Sequence, residues 1–96
     1  MQNEHFEWDD DKAEANLAKH GISFLAATEV FNDCYAVDFM DGREDYGEDR
    51  SIMIGFSENR LLAVLYTLRG QRYRIISARR PDAREIREYH DQERTH

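Results

Sequence analysis

The sequence predicts an α+β fold in which helices pack on a twisted, mainly antiparallel sheet. Residues 50–80 contain three strand-like segments separated by links of only three or four residues, which favours antiparallel neighbours in a meander. Residues 9–31 contain helix-capping residues and apolar residues at helical spacing, and a further helical pattern follows Pro81. The predicted order of elements is therefore β-α-α-β-β-β-β-α.

The composition predicts a single charged, globular domain over residues 1–96. Hydrophobic residues make up 41% of the chain, which is too many for a disordered protein. The one cysteine, Cys34, cannot form an internal disulfide, so the core must hold without one. Residues 1–11 are acidic and polar, unlike a signal peptide, and no apolar run reaches the roughly 18 residues of a membrane span. We therefore expect a cytoplasmic protein that does not bind membranes.

The N-terminal segment predicts a short strand followed by a helix. Residues 5–8 alternate in polarity, as in a strand with one buried face. Asp9 is suited to cap the helix that follows, and Gly21 is suited to end it after His20. The predicted buried stripe of this helix is Ala13 and Leu17, with His20 as a further candidate, and its second, polar face is Lys12, Asn16 and Lys19.

Capping residues, breakers and apolar runs predict the remaining elements. Ser23 is suited to cap a helix over 24–31, and Pro81 separates the last strand from a helix over 83–93. The nearly continuous apolar run 61–68 is typical of a central strand covered on both faces. The other predicted strands are 35–39, 50–56 and 72–80, and the polar segment 41–49, with two glycines, is predicted to be a mobile loop.

The net charge of −7 argues against general affinity for nucleic acid, but the charge is unevenly distributed. Residues 1–59 contain 4 Lys/Arg and 15 Asp/Glu, a net charge of −11. Residues 60–96 contain 9 Arg and 5 Asp/Glu, a net charge of +4. Arginine presents a planar fork of donors that matches phosphate oxygens and stays charged near neutral pH. The second half is therefore the candidate RNA-binding half of the chain.

A first candidate site is the pair Lys19 and His20, which the sequence places in the last turn of the first helix. Histidine can transfer protons near neutral pH, and lysine can neutralise a phosphate. An equally physical alternative exists, because basic residues are common at helix C-termini, where they interact with the last carbonyl groups. In that case the pair caps the helix and takes no part in chemistry.

A second candidate site is a set of arginines on the last predicted strand. Strict alternation along that strand places Arg72, Arg74 and Arg80 on one face, and Tyr73 with Arg79 on the other. A ribonuclease that uses no metal must stabilise a crowded, anionic phosphorus, and preorganised arginines can supply that stabilisation. The alternative is that these arginines pair with acids of this chain or of a partner.

Two residues of the first predicted strand are further candidates, Trp8 for RNA binding and Glu7 for catalysis. Trp8 either stacks on a base or packs in the core, where the only tryptophan of a small protein usually lies. Glu7 either acts as a general base or pairs with an arginine. The four histidines lack the helical spacing of a zinc site, and the acids show no spacing typical of a magnesium site. We therefore expect neither a metal nor a cofactor.

Four stretches of the sequence resemble the BrnT family of the RelE-like superfamily. The first is Phe6-Glu7-Trp8-Asp9 with Lys12, Asn16 and Lys19-His20-Gly21-Ile22, followed by Phe24 and Ala27. The others are Arg50 with Ile54-Gly55, the apolar run 61–67, and Arg74-Ile75-Ile76-Ser77-Ala78-Arg79 with the Arg/Glu-rich helix that contains Tyr89. The resemblance covers residues 6 to about 90.

The resemblance implies a RelE-like fold and a bacterial ribonuclease toxin that cleaves RNA and blocks translation without a metal ion. It also implies neutralisation by a cognate BrnA-like antitoxin of the ribbon-helix-helix type. Operator DNA would then be bound only through the antitoxin. The catalytic residues that the resemblance implies are Lys19, His20, Arg50, Arg79 and Arg80, and the residues expected to bind RNA are Trp8, Lys12, Arg72, Tyr73 and Arg74.

Two other functions stay open at this point. The domain is either a non-catalytic module that binds a partner in a transcriptional repressor complex, or a housekeeping RNA-processing nuclease. Convergence of Lys19, His20 and the arginines in one open cleft would favour an enzyme, whereas a scattered arrangement would favour the binding module.

Overall fold

The computed structural model of the chain describes residues 1–41 and 49–95. Most of the predicted mobile loop over 41–49 lies outside the described residues. The elements occur in the predicted order, with one additional 3-10 turn. They are β1 (Phe6–Glu7), α1 (Asp10–His20), α2 (Phe24–Glu29), the 3-10 turn Val30–Asn32, β2 (Val37–Met40), β3 (Ser51–Ser57), β4 (Arg60–Arg69), β5 (Arg72–Arg79) and α3 (Ala83–Arg94).

The five strands form one sheet in the order β1-β5-β4-β3-β2. Strands β3, β4 and β5 pair antiparallel as consecutive neighbours, which confirms the predicted meander. Strand β2 pairs antiparallel with β3, whereas β1 pairs parallel with β5 over two residues. The sheet is therefore mixed but mainly antiparallel, and the predicted α+β class is confirmed.

Strand β4 lies at the centre of the sheet and is covered on both faces in its middle, as its apolar run predicted. On one face Leu62 and Val64 are fully buried in a core cluster with residues of α2 and of the segment after β1. On the other face Ala63 packs in a second cluster with Ile54 and Tyr89 of α3. Helices α1 and α2 therefore form one layer, and α3 forms a layer on the opposite face.

A β-bulge in β5 changes which arginines share a face. Tyr66 lies opposite Ile75, but the preceding residue of β4, Leu65, lies opposite Ser77, so Ile76 is an extra residue in β5. Because of this insertion, Ile75 and Ala78 both point into the core under α1 and α2.

The face assignment from strict alternation is consequently wrong. The bulge shifts the pattern by one residue, so Arg79 shares the face of Arg72 and Arg74. Arg80, which was predicted on that face, lies beyond the end of the strand and is exposed. Tyr73 lies on the opposite face, where it contacts Phe31.

Helix α1 begins and ends as predicted, but it buries a different stripe. Asp9 caps its start, and Gly21 ends it with a φ of 70°. The prediction that Leu17 lies in the buried stripe and Asn16 on an exposed polar face is wrong, because Leu17 is 51% exposed and Asn16 is only 7% exposed.

Asn16 is buried because β5 has unpaired backbone groups beside it. Strand β1 pairs only with Tyr73 and Arg74, so the edge of β5 has no strand partner further along. The Asn16 side-chain oxygen accepts a hydrogen bond from the Ala78 N–H at 3.1 Å, and its amide nitrogen donates to the carbonyl oxygens of Ala78 and Ile22, both at 2.9 Å. One amide thereby satisfies three buried backbone groups.

Asp33 connects the two layers and explains why β2 begins later than predicted. Its carboxylate accepts hydrogen bonds from the Tyr89 hydroxyl at 2.7 Å and from the backbone N–H groups of Phe56 and Tyr35. Burial raises the pKa of Asp33, but these three hydrogen bonds outweigh it and hold the pKa below its ordinary value. Because Tyr35 is held in this turn, β2 begins only at Val37.

Replacing Asn16 by alanine is expected to lower the free energy of unfolding by about 2–4 kcal/mol, because three buried backbone groups lose their partner. Urea denaturation monitored by circular dichroism would measure the loss. Glu14→Ala on the exposed side of α1 is the matched control and should change stability by less than about 0.5 kcal/mol. An Asn16→Ala protein as stable as this control would contradict the assignment.

Candidate nucleic-acid interface

Among residues 1–41 and 49–95, five arginines from three segments of the chain lie on one face of the sheet. Arg69 lies opposite Arg72 across the β4–β5 hairpin, and Arg74 lies opposite Thr67 two residues further along. Arg79 lies opposite Ala63 and joins the same face because of the bulge. We call the set Arg50, Arg69, Arg72, Arg74 and Arg79 the arginine face.

Arg50 belongs to this face through the register of β3. Ser51 lies opposite Tyr66, so the register continued by one residue brings Arg50 opposite Thr67. The Thr67 hydroxyl donates to the Asp49 carbonyl oxygen at 2.7 Å, which holds this segment beside β4. Neighbouring strands are about 4.8 Å apart, so a single row across the sheet runs from Arg50 through Thr67 to Arg74.

Helix α3 lies on the same side of the sheet but packs mainly on β2 and β3. Strands β1 and β5 and the C-terminal end of β4 extend beyond that helix on this face.

The arginines in that part of the face are held by groups of this chain and do not simply project into solvent. Arg74 donates to Glu7 at 2.7 Å, and the Arg72 Nε donates to the Asn3 carbonyl oxygen at 2.7 Å.

Arg79 forms a two-pronged ion pair with Glu85 in the first turn of α3. Its two terminal nitrogens donate to the two carboxylate oxygens at 2.9 and 3.0 Å. The Arg79 hydrogen bond is the main reason that the pKa of Glu85 lies below its ordinary value, and Glu85 in turn raises the pKa of Arg79. Glu85 also accepts from the Asp82 N–H in a capping box, so the position of Arg79 is coupled to the start of α3.

The other predicted cations do not join the arginine face. Lys12, Lys19 and His20 lie on α1, in the layer on the other side of the sheet. Within the described residues, their side chains make no hydrogen bond or ion pair, and Lys12 and Lys19 are exposed whereas His20 is half-buried. The predicted catalytic residues therefore divide into Arg50 and Arg79 on the arginine face, Lys19 and His20 on α1, and Arg80 just past β5.

The two predicted aromatic contacts to RNA lie in the core layer. Trp8 is 9% exposed and meets the Phe24 ring edge-on, with 5.9 Å between ring centroids. Tyr73 belongs to an aromatic cluster in which its ring centroid lies 4.5 Å from that of Phe31 and 5.5 Å from that of Tyr66. These side chains stabilise the sheet against α2 and its 3-10 turn, and we leave them out of the interface.

Sequence reasoning missed two residues of this interface. Arg69 was not singled out, although the short link between β4 and β5 implies that it lies opposite Arg72. Glu85 was not singled out either, and only the packing of α3 reveals its pairing with Arg79. In residues 1–41 and 49–95, no three His, Cys, Asp or Glu side chains come together as metal ligands would, and no helix there is long and apolar enough to cross a membrane.

Glu85→Gln removes the charge from the Arg79 pair but keeps an oxygen for the capping box. It should lower the free energy of unfolding at pH 7 by about 1–2 kcal/mol, because a neutral hydrogen bond replaces a charged one. The loss is limited because Arg79 is partly exposed to solvent. The folded pKa of Glu85 is depressed below its ordinary value of 4.5, so its contribution is complete above that pH and is lost as the pH falls through the folded pKa.

Urea denaturation of both proteins between pH 7 and pH 3 would measure this, with Glu88→Gln on the exposed side of α3 as the control. The difference between wild type and Glu85→Gln should shrink in acid. A difference that stays constant over this range would show that the ion pair does not contribute to stability.

Comparison with known protein families identifies the family of the chain. Residues 8–85 match the family model described as the ribonuclease toxin, BrnT, of type II toxin-antitoxin systems. No curated protein matches the chain. The matched residues run from Trp8 to Glu85 and so include α1, the whole sheet except β1, and the Arg79–Glu85 pair. The chain therefore belongs to the BrnT family of ribonuclease toxins of type II toxin-antitoxin systems.

Proposed function

We propose that this protein cleaves RNA at the arginine face without a metal ion, and that this cleavage inhibits translation in the bacterial cytoplasm. The observation that supports this best is the collection of five arginines on one side of one sheet, in a chain whose net charge is −7. A chain that is acidic overall concentrates positive charge there, and phosphate groups are the natural ligands of such a surface.

The spacing of the arginines suits a nucleic-acid strand. Arg72 and Arg74 are two residues apart on β5, which separates their Cα atoms by about 6.6–6.8 Å on the same face. Arg74 and Arg50 stand in one row across the sheet.

Cleavage by an internal 2′-hydroxyl needs a proton acceptor, a stabiliser for the charge at phosphorus and a proton for the leaving oxygen. The arginines supply the second of these, and the product carries a 2′,3′-cyclic phosphate or a 3′-phosphate.

A cleft elsewhere on the protein is lined by acidic side chains, which favours the arginine face as the site for RNA. A cleft of about 490 Å³ lies where β2 ends at Met40 and β3 begins at Ser51. Its walls include Asp38 and Asp49, and Asp38 accepts both of its side-chain hydrogen bonds from the Tyr66 hydroxyl at 2.9 Å. The described residues that line this cleft include these two carboxylates and no cation, and like charges repel, so we do not expect RNA there.

Lys19 or His20 stays a candidate for the proton transfers, and Arg80 is a candidate, with Arg79, for contacting the phosphate. Arg79 and Arg80 are consecutive, and the strand ends between them, so a bound RNA that passes over this end of β5 meets both residues. Lys12 and Lys19 are exposed on α1 and can add phosphate contacts for a longer RNA.

The proposed partner is a BrnA-like antitoxin of the ribbon-helix-helix type, through which the complex binds operator DNA. Arg72, Arg74 and Arg79 donate to carbonyl or carboxylate oxygens of this chain at 2.7–3.0 Å, which supports binding of a partner that offers such oxygens. An acidic or amphipathic antitoxin segment would cover the same surface, and charge complementarity would speed association and set its register.

A non-catalytic binding module is the second candidate function. It is favoured by one observation, which is that Lys19 and His20 lie in a different layer from the arginine face and do not converge with it in one cleft. In that case the arginine face binds the antitoxin alone.

Substitution of the arginines distinguishes the two functions. The double variant Arg72→Ala/Arg74→Ala and the single variants Arg79→Ala and Arg80→Ala should each slow RNA cleavage by about 10²–10³-fold, as expected for loss of a charge-stabilising group. Their affinity for RNA should also depend less steeply on salt, by about one unit of log–log slope for each lost phosphate contact. Growth after induction, cleavage of a reporter mRNA and binding at several salt concentrations measure these effects.

Arg87→Ala, which changes an exposed arginine of α3, is the matched control and should behave as wild type. Cleavage should persist in EDTA. If all arginine variants stay fully toxic and bind RNA as before, the arginine face is not the site. If wild-type protein binds its antitoxin but never cleaves RNA, the binding module is correct, and loss of cleavage in EDTA would overturn the metal-independent mechanism.

A further inference from the structure

We propose that Glu7 is a catalytic residue, the general base that accepts the proton of the ribose 2′-hydroxyl during RNA cleavage. This inference rests on the proposed function, because it assigns a role within the arginine face. The sequence left two roles open for Glu7, and the structure shows one of them, because Glu7 pairs with Arg74. We propose that it also acts as the base.

The strand register places Glu7 on the arginine face. Strand β1 pairs parallel with β5, and Glu7 lies opposite Arg74. Its neighbour Phe6 points the other way and contacts Phe31 and Tyr73 in the aromatic cluster. The row that contains Arg50, Thr67 and Arg74 therefore ends at a carboxylate.

The hydrogen bonding of Glu7 leaves one oxygen available. Its Oε2 accepts from the Arg74 Nη1 at 2.7 Å, which fixes the orientation of the carboxylate, whereas Oε1 accepts no hydrogen bond from any described residue. The side chain is 17% exposed, so it is held in place and still accessible to a ligand. A general base needs this combination of a fixed position and a free acceptor within reach of a hydroxyl.

Two other acids close to Arg74 and Arg79, Glu85 and Asp9, are already occupied by structural hydrogen bonds. Both carboxylate oxygens of Glu85 accept from Arg79. Asp9 is the N-cap of α1, and the backbone N–H groups of Lys12 and Asp11 lower its pKa, which makes it a weaker base. Of Glu7, Asp9 and Glu85, Glu7 is therefore the one that can take a proton without giving up a structural hydrogen bond.

The proposed step balances in atoms and charge. The 2′-hydroxyl proton moves to Oε1 of Glu7 as the 2′-oxygen forms a bond to phosphorus. The bond from phosphorus to the 5′-oxygen breaks, its electron pair stays on that oxygen, and a water molecule protonates it. The hydroxide ion left behind takes the proton back from Glu7. The products are a 2′,3′-cyclic phosphate and a 5′-hydroxyl end.

One charged group contacts this carboxylate, and two more lie on neighbouring parts of the chain. Arg74 contacts it from β5, Arg72 lies two residues before Arg74 on the same face, and Asp9 follows β1 at the start of α1 and interacts with Arg74. The Met1 amino group donates to the carbonyl oxygen of Trp8, the residue after Glu7, and pairs with Asp10.

The test is Glu7→Gln, which keeps an oxygen for Arg74 but removes the basic carboxylate. Cleavage of a reporter mRNA in a bacterial translation extract, with the purified full-length toxin in excess, gives the rate whether or not ribosomes are required. We expect the rate to fall by about 10²–10⁴-fold, while RNA affinity changes by less than about threefold. Wild type should lose activity in acid as the base becomes protonated, and this acid limb of the pH–rate profile should be absent in Glu7→Gln.

Controls separate this assignment from a structural role and from failure of the proposed function. Glu7→Asp should recover part of the rate, and Glu88→Gln should leave it unchanged. Thermal unfolding and binding to the antitoxin show whether each variant is folded. If Glu7→Gln cleaves like wild type while Arg72→Ala/Arg74→Ala does not, Glu7 only orients Arg74 and the base assignment is wrong. If wild-type protein itself leaves the mRNA intact, the proposed function fails instead.

Discussion

The position of the arginine face depends on how the exposed edge of β5 is completed. Strand β1 covers only two residues of that edge, and a sheet edge with unpaired backbone groups in a protein interior is costly. The buried amide of Asn16 satisfies the N–H and C=O of Ala78 where β1 has ended. The next residue is Arg79, so a helix in one layer fixes an arginine that points to the other layer.

The bulge at Ile76, a single extra residue in β5, also determines which side chains share a face of the sheet. It allows Ile75 and Ala78 to enter the same core cluster, and it moves Arg79 onto the face of Arg72 and Arg74. Without the insertion, burial of both residues on one face would be impossible in a regular strand, because successive side chains alternate. The apolar requirements of the core therefore decide the composition of the charged face.

Acids of this chain balance the positive charge that the sheet collects. Glu7 holds Arg74 and Glu85 holds Arg79, and each pair joins β5 to a different neighbouring element. Pairs of this kind are worth little at a fully exposed surface, but both carboxylates here are largely buried, which strengthens the hydrogen bonds and limits their exchange. The two pairs therefore hold Arg74 and Arg79 in fixed positions on the arginine face.

The sequence by itself determined the order of the elements, the antiparallel meander, the helix caps and the family. These depend on local signals: Asp9 and Gly21 bound α1, the short links fix the pairing of β3 to β5, and the apolar run of β4 marks the central strand. Only the tertiary structure decided that Asn16 is buried while Leu17 is exposed, and that Arg79 rather than Arg80 shares a face with Arg74. Both outcomes depend on backbone groups and core positions distant in sequence, because the short β1 leaves an edge that Asn16 must satisfy, and the core requires a bulge that no local pattern announces.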